Sequence, residues 1–477
     1  MNHLRTSLKT LSVSLALVIS SCAVGPDFTA PRSPKVSSYT AEKLPQNIGS
    51  QHLNSEKNVS PIWWSEFQSA SLNQVMRYGI KNSYTLISMT ETLKEAQETL
   101  KASAGALYPQ VSLTTSAARQ KYGVALFGDS RFSVEPFTYY TFGPNVTWTL
   151  DIFGKTRRTI EQQQAMLDYQ SDELKSAYLS LTGNITTTSL EIATINDQIN
   201  SIKKIIQDDQ KNLALAQKAF LLGAGTKVQV LTAQSQLDTD ETLLPPYYQQ
   251  LHIAQTQLNI LVGTLPANWQ APAFTLSNFT LPKELPLSIP SKLIHNRPDI
   301  LAAEALLHSA SANVGVATAN LYPQLTISAQ SLQEALNVNN LFNASSQAGY
   351  LLGGITTPLF NGGSLLAQRQ AAIHAYKAAY ANYKQVVVQA FVQVSNVLSA
   401  LQQDEQEIIK TTKELETTKA SLNLARLSYD VGSTSFLEII DSERLYNQAR
   451  LSYVEAMGKR YQDTAQLYLV LGGGIIK

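Results

Sequence analysis

Leu107-Tyr108-Pro109-Gln110 returns later in the chain as Leu321-Tyr322-Pro323-Gln324. Each copy is followed by a short stretch alternating between apolar and polar residues, a polar loop, a second alternating stretch and a very long helical pattern. The helical patterns end alike. Phe220 stands three residues before Gly223, and Tyr429 three before Gly432; Leu231 and Ile440 each lie eight past the glycine. The apolar series Tyr178, Ile185, Ile192, Ile199, Ile206, Leu213, Phe220 steps by seven, and 209 residues on it becomes Val387, Val394, Leu401, Ile408, Leu415, Leu422, Tyr429. A chain that contains itself twice in this way predicts two intertwined halves whose apolar faces need neighbours.

Between Lys155 and Leu222 the only breaker is Gly183, and between Ser364 and Val431 there is neither Gly nor Pro. A single helix over either run would reach about 100 Å at a 1.5 Å rise per residue. Seven-residue spacing predicts coiled-coil packing. A second seam, Ile160, Leu167, Leu174, Leu181, Thr188, Ile195, Ile202, runs beside the first. Past Gly223-Ala224-Gly225-Thr226 the chain turns into a return helix, broken at Pro245-Pro246; past Gly432 a second return helix starts near Ser435.

Alternation at period two marks the strands. Val111, Leu113, Thr115 and Ala117 interleave with Ser112, Thr114, Ser116 and Ala118; Val146, Trp148 and Leu150 do so with Asn145, Thr147 and Thr149. The organisation expected is a first repeat over 66–263, a Pro-rich irregular connector over 264–290 and a second repeat over 291–472. The first repeat carries a helix, strands at about 110–121 and 139–151 and a helical hairpin over 155–263. The second carries a helix, strands at about 324–333 and 347–360 and a hairpin over 364–472, leaving a tail of 473–477. Gly79 and Gly105 are the expected interruptions in the helical pattern from Glu66 to Ala106. Strands of about ten residues suit either a tilted membrane strand or a soluble hairpin packed on helices.

The single cysteine, Cys22, closes a leader. Arg5 and Lys9 form its positive region and Leu11–Ile19 its apolar region. Ile19-Ser20-Ser21-Cys22 resembles the bacterial lipobox, with Ile where Leu is usual. That resemblance implies removal of residues 1–21 and covalent lipid on Cys22, with 22–65 as an irregular lipidated tether. Ala23 in place of Asp implies sorting to the outer membrane. An ordinary leader with a chance cysteine is the alternative. Beyond it no stretch approaches 18 consecutive apolar residues, so no membrane-spanning helix is expected.

Net charge is +1 and charged residues make up 15%. This offers no electrostatic footprint for nucleic acid. Six scattered histidines, no thiol beyond Cys22 and no Gly-x-Ser-x-Gly or phosphate loop speak against an enzyme or metal centre. Asp151-Ile152-Phe153-Gly154 lacks every supporting kinase motif and reads as the close of a strand before the long helix.

Four strands cannot close a membrane barrel, because the smallest have about eight. Open edges are not tolerated in lipid. Membrane strands here would therefore need several chains, and the helical seams need the same neighbours. The whole mature chain resembles the TolC/OprM-like outer-membrane factors. The resemblance is carried by Cys22-Ala23-Val24-Gly25-Pro26, Trp63-Trp64, Leu243-Leu244-Pro245-Pro246, Leu258-Asn259-Ile260-Leu261-Val262-Gly263, Asn296-Arg297-Pro298-Asp299-Ile300 and Ala302-Ala303-Glu304. It lies nearer the OprM/NodT lipoprotein branch than TolC.

The resemblance implies a homotrimer with a shared twelve-stranded barrel and a periplasmic helical tunnel. It implies an exit duct for small toxic compounds, working with a periplasmic adaptor and an inner-membrane transporter in the outer membrane of a Gram-negative bacterium. No cofactor is implied beyond the lipid. It places a gate and selectivity ring at Tyr429, Glu438 and Asp441, and adaptor-docking turns at Gly223, Thr226, Gly432 and Ser435. The family's basic tip residue is matched by Thr434, which leaves the closing contacts open. Glu438 and Asp441 share a helix face; their first-repeat counterparts, Gln229 and Thr232, are neutral. Ordinary exposed helix charges are the plainer reading. A type I protein-secretion duct and a lipid-anchored coiled-coil scaffold without a pore are the other functions that fit.

Overall fold

The computed structural model describes residues 23–36, 38–40, 45–55, 57–121 and 135–473. The lipidation expectation at Cys22, the leader and most of the tail lie outside the described residues.

The elements run as β1 (Asn47–Ile48), β2 (Gln51–Asn54), α1 (Ala70–Asn82), α2 (Tyr84–Gly105), β3 (Gln110–Gln120), β4 (Phe137–Leu150), α3 (Lys155–Leu221), α4 (Lys227–Glu241) and α5 (Leu244–Leu261). There follow β5 (Glu284–Pro286), α6 (Pro290–Asn296), α7 (Pro298–Ala319), β6 (Gln324–Ala335), β7 (Gln347–Thr356), α8 (Ser364–Asp430) and α9 (Phe436–Val470). Helices α3 and α8 are each 67 residues long. The order helix, two strands, long helix, return helix occurs in both halves.

These elements form two compact units. The first contains the described part of Met1–Pro31 with Leu93–Gln170 and Ala303–Tyr383. Its centre is an antiparallel sheet in the order β3-β4-β6-β7. Ser112 faces Asn145, Trp148 faces Ile327 and Ile327 faces Gly353. The β4–β6 ladder skips Gly143-Pro144: proline has no donor to give, and a Cβ on Gly143 would stand 2.2 Å from the Ser331 carbonyl oxygen. Val111, Leu113, Leu351, Leu352 and Ile355 are exposed on these strands. Strands β3 and β7 are the sheet's two edges. Beneath β4, Asp151 accepts from the backbone N–H groups of Thr156 and Arg157 at 2.9 and 2.8 Å. It thereby satisfies two of the donors that open α3.

The second unit contains Arg32–Thr92, Ser171–Ala302 and the described part of Lys384–Lys477. Its core includes Trp63, Phe67, Leu72, Met76 and Phe274, with Trp63 stacked on Tyr468 at 5.4 Å. Gly183 acts here as a packing residue within an unbroken helix: a Cβ would stand 2.4 Å from the Leu469 side chain. Three turns further along α3 the roles reverse, and Gly458 of α9 faces Thr194 at the same spacing.

Four expectations change. The connector and the tether are not wholly irregular: β1, β2 and β5 form a sheet in which β2 runs parallel to β5, His52 facing Glu284. Buried Gln51 donates to the Pro282 carbonyl at 2.9 Å, and fully buried Arg460 donates to that of Ile48 at 2.9 Å. Second, an additional helix, α6, precedes Pro298. Third, the early helical pattern breaks at Ser83 and not at Gly79, which α1 absorbs because Ile185 fills the space beside it. Finally, α7 is apolar enough in composition to match a membrane span, but half of that stretch is buried within the fold.

Candidate functional site: the hairpin tips

The two long helices end in the same turn. Gly223 and Gly432 sit at φ 73° and 76°, in the left-handed region that glycine adopts without a Cβ penalty. Their N–H groups donate to Phe220 and Tyr429 at 3.0 and 2.9 Å. Those of Ala224 and Ser433 reach back to Ala219 and Ser428 at 2.9 and 2.8 Å. Helix ends built this way bond their own last carbonyls.

The return helices start differently. Thr226 caps α4 in a closed capping box: its Oγ1 accepts from Gln229 N at 3.3 Å, and Gln229 Oε1 accepts from Thr226 N at 2.8 Å. At α9, Ser435 occupies the cap position without a side-chain bond, and Glu438 stands exposed in the first turn. A carboxylate there complements the positive end of the helix dipole. Asp441 is exposed on the same face and pairs with Arg444 at 2.9 Å, so the face reads minus, minus, plus along the helix.

Tyr429 is half-buried and meets Phe436 edge to face at 5.9 Å. Both line a cavity of about 440 Å³ together with Asn212, Leu222, Arg426 and Ile439. Behind it, Val230, Ala233, Leu422, Ala425, Phe436, Ile439 and Ile440 form a small apolar core. Leu221, Leu222, Val228, Val431 and Leu437 are left exposed around the turns.

One polar network at this level was not visible in the sequence. Glu443, 3% exposed, accepts from Asn212 Nδ2 and from Arg426 Nη2, the latter at 2.8 Å. It therefore ties α9 to both long helices. Burial raises its pKa and the neighbouring Arg426 charge opposes the rise. The signal was the seven-residue step from Phe436 to Glu443, which puts a carboxylate on the core side of α9. Among the described residues no group of His, Cys, Asp and Glu is placed to hold a metal ion.

At the other end of α3, the described chain start is pinned. Val24 N donates to the Phe153 carbonyl at 3.0 Å. Arg158 donates to the Val24 carbonyl at 3.3 Å, to Asp27 at 2.7 Å and to Glu161 at 2.7 Å. Phe28 stacks on His308 at 4.3 Å, and the His308 ring bonds Glu161 at 3.0 Å.

The family model described as outer membrane efflux protein matches residues 80–264 and again 289–473. The chain belongs to the outer membrane efflux protein family. Its place is accordingly the outer membrane. This outer membrane efflux protein is 27% identical over 420 residues to the pyoverdine export outer membrane protein OpmQ of Pseudomonas putida, covering 86% of this chain and 88% of that one. It is 24% identical to the cation efflux system protein CusC of Escherichia coli over 98% of each chain. Among solved structures, the outer-membrane channel OprN superposes with a TM-score of 0.87 at 24% identity, covering 95% of this chain and 99% of that one. The outer membrane protein VceC of Vibrio cholerae gives 0.80 at 25% identity, over 87% and 100%.

Proposed function

We propose that this chain is the outer-membrane exit duct of a tripartite efflux system, passing small toxic compounds outward from a periplasmic adaptor and an inner-membrane transporter. The observation that carries the reading is the family match over both halves, joined to an open-edged antiparallel sheet with exposed apolar residues. In lipid such edges need partner strands, and β7 of one copy beside β3 of the next keeps the pairing antiparallel. The family resemblance makes that assembly a homotrimer with twelve strands. Lipid on Cys22, a ring of Tyr429, Glu438 and Asp441, and adaptor docking at Gly223, Thr226, Gly432 and Ser435 belong to the same proposal. The relatives are named for different cargoes, pyoverdine and cations, at similar identity. That supports a duct which takes its cargo from the transporter it serves. Purified protein in a planar bilayer should give discrete conductance steps, and a deletion strain should gain susceptibility to toxic compounds. A scaffold without a pore gives no steps.

A further inference from the structure

The second helical seam does not stay apolar. Continued at seven-residue steps it reads Leu181, Thr188, Ile195, Ile202, Asp209, Ala216, and in the second half Ala390, Val397, Asp404, Thr411, Thr418, Ala425. One aspartate stands in each copy of the seam, two heptads apart. Each faces a second aspartate on its own return helix. Asp209 of α3 lies within hydrogen-bonding reach of Asp240 of α4, and Asp404 of α8 within that of Asp463 of α9. The pairs are present or absent as pairs: the counterparts of Asp209 and Asp240 are Thr418 and Ala449, and those of Asp404 and Asp463 are Ile195 and Ala254. Asp209, Asp240 and Asp404 are buried. One carboxylate oxygen of Asp209 and one of Asp404 are enclosed with no hydrogen-bond partner among the described residues.

Two ionised carboxylates cannot share such a place at low cost, since burial and like charge both favour the neutral acid. A single proton held between them supplies the missing donor. We propose that each helical hairpin carries a proton-sharing aspartate pair that fastens the long helix to its return helix, so that the hairpins are tight when the pairs hold a proton and loosen when they lose it.

The surroundings differ between the pairs. Around Asp209–Asp240 stand Asp208 on α3 and Glu443 on α9, with Arg426 of α8 reaching Glu443; Gln236 donates to Asp240 at 2.9 Å. Around Asp404–Asp463 stand Glu407 on α8 and Lys459 and Arg460 on α9, with Glu405 facing Arg460. The first pair thus faces two carboxylates, Asp208 and Glu443, each already paired with a cation, Lys211 at 2.8 Å and Arg426 at 2.8 Å, whereas Lys459 and Arg460 act directly on the second pair. Burial and then the facing carboxyl push Asp209 up to about 8. Burial and the Asp463 charge push Asp404 to about 7, with Arg460 opposing. An acid raised in the folded state stabilises fully below its ordinary value of about 4 and loses that contribution as pH climbs through the raised value. The hairpins therefore loosen progressively as pH rises from about 4, and the loss is complete once the raised values are passed near neutral to mildly alkaline pH.

The test is hydrogen exchange on the full-length protein in detergent, corrected for the intrinsic effect of pH, between about pH 6 and about pH 9. For each proton linked to opening, protection falls by up to about tenfold per pH unit in the titrating range. The fall is expected over Ala233–Glu241 and over Ala456–Gln466. Asp209→Asn supplies a permanent amide donor and should flatten the first region alone; Asp404→Asn should flatten the second alone. Should either variant fail to fold, Asp240→Asn or Asp463→Asn supplies the amide from the other side. In parallel, the infrared band of a protonated carboxyl should persist in the wild type at neutral pH and weaken in each variant. Protection independent of pH in the wild type, or an undiminished fall in the amide variants, overturns the proposal.

Discussion

Glu438 and Asp441 share a helix face but not an environment. Asp441 is already half-answered by Arg444, whereas Glu438 stands at the start of α9 where Gln229 closes the cap of α4. If these carboxylates ring the duct, Glu438→Gln combined with Asp441→Asn removes the negative charge and leaves Arg444 without its carboxylate. Cation preference should then fall, and the reversal potential in a salt gradient is the measurement; an unmoved potential removes the ring. Glu443 supports a second residue-scale prediction. Arg426→Ala deprives a buried carboxylate of its cation, for which a fully buried pair would cost about 3–5 kcal/mol. Arg426 is 44% exposed, which lowers the expected loss to about 1–3 kcal/mol through solvent screening. The Glu443 pKa, already raised, rises further without the arginine. Added stability is then present below the ordinary glutamate range and lost as pH rises, so the variant's melting temperature should fall more steeply with pH than the wild type's.

At the scale of elements, helix length was legible because nothing in either run prevents a helix, and both reach 67 residues. The strand pairs were legible from alternation, and Asp151 from its place between strand and helix. The small sheet was not. Its strands are two to four residues long, too short for periodicity, and β5 pairs with β2 across more than two hundred residues of chain. Packing glycines also escaped, since the sequence marks Gly183 only as a weak point in a helix. The structure gives it an opposite meaning. Gly458→Ala should gain a few tenths to about 1 kcal/mol of helix propensity but lose about 1–3 kcal/mol to overlap with Thr194. Thr194→Ala, whose hydroxyl only bonds back to Leu190 at 2.9 Å, should restore the stability of the double variant. Additive losses in that double-mutant cycle would mean that the two residues do not press on one another.

For the whole molecule, the decisive feature is the pair of sheet edges, β3 and β7, which no other strand covers among the described residues. Cysteines placed singly along β3, at Val111 or Leu113, and along β7, at Leu352 or Ile355, should form disulfides between chains at the matching register. On a non-reducing gel the ladder should end at three. Crosslinks confined within single chains would exclude shared closure of the sheet. What the sequence could not supply was the list of buried polar residues. Asp209, Asp404 and Glu443 stand at positions that the seven-residue spacing assigns to apolar side chains, and only the packed helices reveal that each has company.

The hold on Val24, near the start of the described residues, by Phe153 and Arg158 has one more consequence. Val24 is two residues from Cys22, and consecutive Cα atoms are about 3.8 Å apart. A lipid on Cys22 would then hang on a leash shorter than one bilayer leaflet, tied where β4 hands over to α3. Such an attachment works as a depth gauge: it sets how far the strands sink before the acyl chains reach their own level. If Cys22 carries that lipid, Arg158→Ala would leave the Val24–Phe153 bond alone to hold the leash and so slacken the ruler.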